Sequence, residues 1–99
     1  MAKVIFEIKY AVKGEKVDEY FSAVSSLKEL ISNHFNIQYF VLRNKKNDNI
    51  FSELFIFDDE EQFDSFEDNQ PEEIREIMGR FYDEYIENGS ITYSTKYEI

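Results

Sequence analysis

The chain contains no cysteine, one histidine, one proline and three glycines in 99 residues. Without cysteine there is no disulfide framework, no thiolate metal site and no cysteine nucleophile. Phosphate loops, dinucleotide fingerprints and nucleophile elbows need clustered glycines, and Gly14, Gly79 and Gly89 are too scattered to supply them. A lone His34 without regularly spaced carboxylates makes a poor transition-metal site. The expectation is of no metal and no cofactor. No apolar run approaches a membrane span, and Met1-Ala2-Lys3-Val4 leads into strand-like alternation without the apolar stretch of a signal peptide, so a cytoplasmic protein is expected.

Basic residues are also scarce: 11 lysines and arginines face 21 acids, a formal charge of -10. The imbalance is local, because residues 58–76 hold ten acids against Arg75 alone. Such a surface repels phosphate, which argues against nucleic acid and anionic membranes as partners, while a basic protein partner stays open. A calcium hand would need an Asp-rich loop with a central glycine, absent here, so the run reads as a solvated helix face. What the chain does have is apolar mass, 42% with 17% aromatic, enough to fold, and its length suits one domain spanning residues 1–99.

Periodicity supplies the elements. Residues 3–12 alternate, with Val4, Phe6, Ile8, Tyr10 and Val12 on one face and Lys3, Ile5, Glu7, Lys9 and Ala11 on the other. After Gly14, Val17, Tyr20, Phe21, Val24, Leu27 and Ile31 fall at helical spacing over 15–33. Residues 37–43 and 50–57 are strand-like, joined by a polar hairpin connection, Asn44 to Asn49. Asp58-Asp59-Glu60-Glu61-Gln62 resembles a capping box opening a short helix with Phe63 and Phe66. Pro71 suits the first position of a further helix carrying Ile74, Ile77, Met78, Phe81 and Tyr85, and Asn88-Gly89 ends it. Residues 90–99 alternate as a last strand.

The order β-α-β-β-α-β predicts an α+β, ferredoxin-like sandwich with a four-stranded antiparallel sheet and helices on one face. The other face should be polar if it meets water. Instead Phe40 and Leu42 oppose Ile37, Tyr39 and Val41, and Leu54 and Ile56 oppose Phe51, Phe55 and Phe57. Large side chains left wet forgo about 1.5–3 kcal/mol each. A homodimer through the sheet face is therefore expected, since isologous pairing is the commonest way to cover such a surface.

At Val12-Lys13-Gly14 followed by a helix, and at Leu54-Phe55-Ile56-Phe57-Asp58-Asp59-Glu60-Glu61-Gln62-Phe63, the chain resembles the dimeric α/β-barrel superfamily and its antibiotic biosynthesis monooxygenase group. The resemblance implies two sheets packed face to face and a pocket in each subunit between sheet and helices. It also implies a choice among cofactor-free oxygenases of phenols or quinols, haem-degrading enzymes and proteins without known activity. The haem-degrading branch uses an Asn, a Trp and a His where this chain has Glu7, Phe66 and about Glu76, so haem degradation is not supported.

A cofactor-free oxygenase needs a base in apolar surroundings and a donor or cation for the substrate anion. Glu7, within an apolar strand, is the candidate base, with pairing to Lys9 or Lys96 as the bland alternative. Tyr39 and Arg43 are candidates to orient a phenolate or carboxylate, or else a packed ring and a rim charge. Phe57, Phe63, Phe66 and Phe81 are candidates to line a pocket for a small apolar or aromatic ligand, although their spacing suits core packing equally. His34, just past the first helix, complements its C-terminus. The functional expectation is a small monooxygenase-like protein acting on an aromatic compound. The alternatives are a non-catalytic ligand-binding or stress-related protein of the same fold, or a module whose acidic segment 58–76 docks a basic partner.

Overall fold

A computed structural model describes residues 2–99. Strands β1 (Val4–Ala11), β2 (Gln38–Arg43), β3 (Ile50–Phe57) and β4 (Thr92–Tyr97) form one antiparallel sheet in the order β2-β3-β1-β4. Helices α1 (Val17–His34), α2 (Glu60–Asp68) and α3 (Glu72–Arg80) cover one face, giving the ferredoxin-like α+β sandwich that the alternation predicts. Among the described residues no helix is long and apolar enough to cross a membrane.

Each element ends for a local reason. A short 3-10 turn, Gly14–Lys16, leads into α1, which buries Tyr20, Val24, Leu27 and Ile31. His34 is its exposed last residue, where a cation would face the free carbonyls. In the β2–β3 hairpin the Asn44 side-chain oxygen accepts from the Lys46 and Asn47 amides at 2.9 and 3.0 Å, an Asx turn that reverses the chain. Asp59 caps α2 by accepting from the Gln62 amide at 2.8 Å, while the Gln62 side chain accepts from the Asp58 amide at 2.7 Å. Such a cap is worth about 1 kcal/mol. Asp59→Ala should therefore lower the melting temperature by roughly 4–8 °C in a thermal melt, with Asp59→Ser recovering most of the loss.

Three boundaries differ from the periodicity. Pro71 is the cap of α3 and not its first turn: its backbone is extended (ψ 148°), and its carbonyl accepts from Ile74 and Arg75. The last helix does not run evenly to Tyr85 but widens over Phe81–Tyr85 into a π turn, closed by the Ile86 amide on the Phe81 carbonyl at 2.9 Å. The widening lets the chain leave the helix to meet β1. Lys13 donates to Tyr85, Glu87 donates to the Ala11 carbonyl, and Val12 bridges Ile86. Strand β4 is shorter than 90–99 because Ser90 belongs to the turn, its hydroxyl donating to the Glu87 carbonyl and accepting from the Ala11 amide. Gly89 in that turn has φ 76°, which a side chain would strain.

The core lies between sheet and helices. Val4, Ile8, Tyr10, Phe51, Phe55 and Phe57 from the strands meet Tyr20, Leu27, Ile31, Phe66, Ile74 and Phe81 from the other side. The opposite, open face divides along its width, because register aligns Phe40 with Leu54, Glu7 and Ser94, and Gln38 with Ile56, Ile5 and Lys96. Its β2–β3 half is apolar, with Phe40 45% and Leu42 49% exposed, while its β1–β4 half is polar. The expectation of large apolar side chains on both faces of β2 and β3 thus holds, and it does not extend to the open face of β1 and β4.

Candidate functional site

The helix-facing side of β3 presents Phe51, Glu53, Phe55 and Phe57 in alternation, so one carboxyl is carried into an aromatic core. Glu53 is 2% exposed, the one charged side chain among the buried described residues. An unpartnered carboxylate there would be prohibitive, and three neighbouring elements supply phenols instead. Tyr10 of β1 donates to Oε2 at 2.8 Å, and Tyr39 of β2 donates to Oε1 at 2.7 Å. Tyr20 of α1 lies 2.7 Å from the Tyr10 hydroxyl, and since the Tyr10 hydrogen is committed to Glu53, Tyr20 is the donor of that pair.

Register explains the convergence. Tyr10 pairs with Phe51 and Tyr39 with Phe55, so both lie one same-face step from Glu53, within reach of a long side chain. Ring packing then fixes the phenols. Tyr20 sits edge-on to Tyr10 with centroids 5.9 Å apart and tilts against Phe51 at 4.8 Å, while Tyr39 rests on Phe55 at 4.7 Å. Burial is the main influence on Glu53 and raises its pKa above the usual carboxylate value, and the bonds from Tyr39 and Tyr10 pull the other way. Burial likewise raises all three phenols, so they stay protonated. The cluster is thus a proton acceptor held by proton donors.

The sequence candidates are distributed around this cluster. Tyr39 is in it. Arg43, on the same face of β2, is exposed at the strand end, its Nε donating to the Asp48 carbonyl at 2.7 Å. Its guanidinium lies 5.5 Å from the Phe21 centroid and 5.3 Å from that of Phe51, a cation spread over two rings at the end of β2. Glu7 does not join them, because β1 alternation points it to the open face. There it lines a hollow of about 160 Å³ with Lys9, Thr92 and Ser94. The Ser94 hydroxyl oxygen beside it is buried and without a hydrogen-bond partner.

Of the four phenylalanines, Phe63 and Phe66 both pack on Phe57, at 5.2 and 5.4 Å between centroids. Phe81 stands apart, 5.2 Å from Tyr20. The inner layer thins toward β4, where Tyr93 stacks on Phe6 at 6.2 Å, donates to the Tyr82 hydroxyl at 3.4 Å and stays 58% exposed. Glu53 is the residue that sequence reasoning missed. Its signal was present: it is the single polar position in the alternation Phe51, Glu53, Phe55, Phe57.

Comparison with solved structures bears on the fold. Over 99% of this chain and 91% of the other, the fold superposes with a TM-score of 0.82 and 9% identity on a Caulobacter crescentus protein provisionally classed as an antibiotic biosynthesis monooxygenase. The chain has the antibiotic biosynthesis monooxygenase fold. A conserved protein from Methanosarcina mazei matches with a TM-score of 0.80 and 22% identity, over 97% of this chain and 92% of that one. SnoaB, a cofactor-independent oxygenase from Streptomyces nogalater, matches in a mutant form with a TM-score of 0.70 and 15% identity, over 98% and 91%. No protein-family model and no curated protein matches the sequence. At these identities the likeness is one of fold, so chemistry has to be argued from the site.

Proposed function

We propose that the protein is a homodimeric, cofactor-independent oxygenase of small phenolic or quinol compounds, with Glu53 as its base. The observation that carries the reading is the single carboxyl of the aromatic core, raised in basicity by burial and held in place by two phenol donors. A reaction of this kind needs the substrate's hydroxyl proton removed so that the anion can reduce oxygen, and a carboxylate made more basic by desolvation suits that task. Arg43 at the β2 edge supplies positive charge for the anion, in a chain otherwise rich in acids. SnoaB supports the reading as an oxygenase of the same fold that needs no cofactor.

The dimer forms through the open face, burying Phe40, Leu42, Leu54 and Ile56 against their two-fold mates and enclosing the hollow beside Glu7. The test is oxygen consumption over a panel of hydroquinones. Glu53→Gln should lower kcat/KM by 10²–10⁴-fold while the far-ultraviolet dichroism is kept, the range typical of losing a general base. No consumption by the wild type across the panel would overturn the assignment.

A further inference from the structure

Three phenol hydrogens serve three acceptor positions, the Tyr10 oxygen and the two oxygens of Glu53, so the network closes with the carboxyl ionised. Protonating Glu53 adds a fourth hydrogen, and one hydroxyl must then donate outside the cluster. Tyr10 and Tyr20 are 1% and 0% exposed and locked in series on Oε2. Tyr39 is half-buried at the edge strand and bonded to the other oxygen, Oε1. The surplus hydrogen is therefore assigned to Tyr39, the member of the cluster carried by the least covered residue.

We infer that Tyr39 is the residue that touches the substrate, relaying the proton of a phenolic or enolic hydroxyl to Glu53 and then donating its own hydrogen bond to the oxyanion that results. This rests on the oxygenase reading and assigns the contact with the substrate hydroxyl to one residue. In the step, the substrate O–H bond breaks and its proton bonds to the Tyr39 oxygen. The former Tyr39 proton moves to Glu53 Oε1, and the electron pair stays on the substrate oxygen. Charge moves from Glu53 to the substrate, no atom is gained or lost, and no oxidant takes part. Afterwards Glu53 donates to Tyr39 and Tyr39 donates to the phenolate, so every hydrogen has an acceptor. The titratable groups facing Glu53 are Tyr10 from β1, Tyr39 from β2 and Tyr20 from α1, and its charge also reaches Tyr82 of the π turn.

A ligand that arrives already ionised must reach the same final state by taking a proton from solvent. Binding of 4-nitrophenolate, followed by calorimetry in buffers of different ionisation heat, should take up one proton per site while Glu53 is ionised, and its affinity should fall about tenfold per pH unit there. Tyr39→Phe should abolish the uptake and flatten the pH dependence. Tyr10→Phe removes the hydrogen bond to Glu53 from the buried side, which raises the carboxyl further, and should keep the proton uptake with its pH window moved upward. Binding without proton uptake, equal behaviour of the two variants, or no binding by the wild type would overturn the relay. Proton uptake accompanied by no oxygen consumption would leave the relay standing and remove the oxygenase reading.

Discussion

Glu53→Leu is expected to destabilise the protein by about 2–5 kcal/mol, although it puts an apolar side chain into an apolar core. The substitution leaves the Tyr10 and Tyr39 hydroxyls without the oxygens they donate to, and a buried donor without an acceptor costs about 1–3 kcal/mol. Relief from carrying a desolvated carboxyl offsets part of that loss. Removing the whole network tests the accounting. The variant Glu53→Leu with Tyr10→Phe, Tyr20→Phe and Tyr39→Phe has no orphaned hydroxyl, and urea unfolding should return it to within about 1 kcal/mol of the wild type or above it, as happens when buried polar groups are replaced together.

The two proteins should also separate with pH. Because the folded pKa of Glu53 is raised, the carboxyl favours folding most below its unfolded value of about 4.3, and that contribution is lost as pH rises through the folded value. Wild-type stability should therefore fall relative to the all-apolar variant as pH increases through that window, by at most about 1.4 kcal/mol per pH unit for one proton. Equal stability of Glu53→Leu and wild type, or parallel pH profiles for wild type and the all-apolar variant, would show that the cluster is not the electrostatic centre described above.

That centre marks the limit of what could be read from the residues in order. Alternation in β1 and β3 and the 3.6-residue stripe of α1 were legible because a single periodicity governs each, and β3 falls on residues 50–57 as read. The Asp59 cap was legible because its chemistry is local. The site was not, because Tyr10, Tyr20, Tyr39 and Glu53 come from four elements, and their meeting depends on strand register and on how α1 lies across the sheet. Tyr39 and Arg43 could be picked out as a polar tip and a charge on one strand face, whereas Glu7 looked equivalent to Glu53 as an acid within an apolar strand. What separates the two is parity: Glu53 shares its face with Phe51, Phe55 and Phe57, and Glu7 shares its face with Lys9. The π turn at Phe81–Tyr85 was hidden for a similar reason, since pairing with β1 and not local preference sets where that helix opens.

Phe40→Lys is expected to raise the dissociation constant of the proposed dimer by roughly 10²–10⁴-fold. Phe40 stands at the centre of the apolar half of the open face, paired with Leu54 and flanked by Gln38 and Leu42 on its own strand, and 45% of it is exposed in the single chain. A two-fold axis repeats each substitution, so a side chain worth about 1.5–3 kcal/mol when buried is lost twice, and about 3–6 kcal/mol corresponds to that range. The new ammonium groups add repulsion across the axis. Sedimentation velocity from micromolar to nanomolar concentration reads the shift directly. Phe21→Gln removes a comparably exposed ring, 43%, from the helix-covered side and should leave sedimentation unchanged. The two substitutions therefore distinguish loss of an interface from loss of surface hydrophobicity in general. A wild type that sediments as a monomer at micromolar concentration would remove the dimer altogether, and with it the reason for Phe40 and Leu42 to lie on a face that water would otherwise reach.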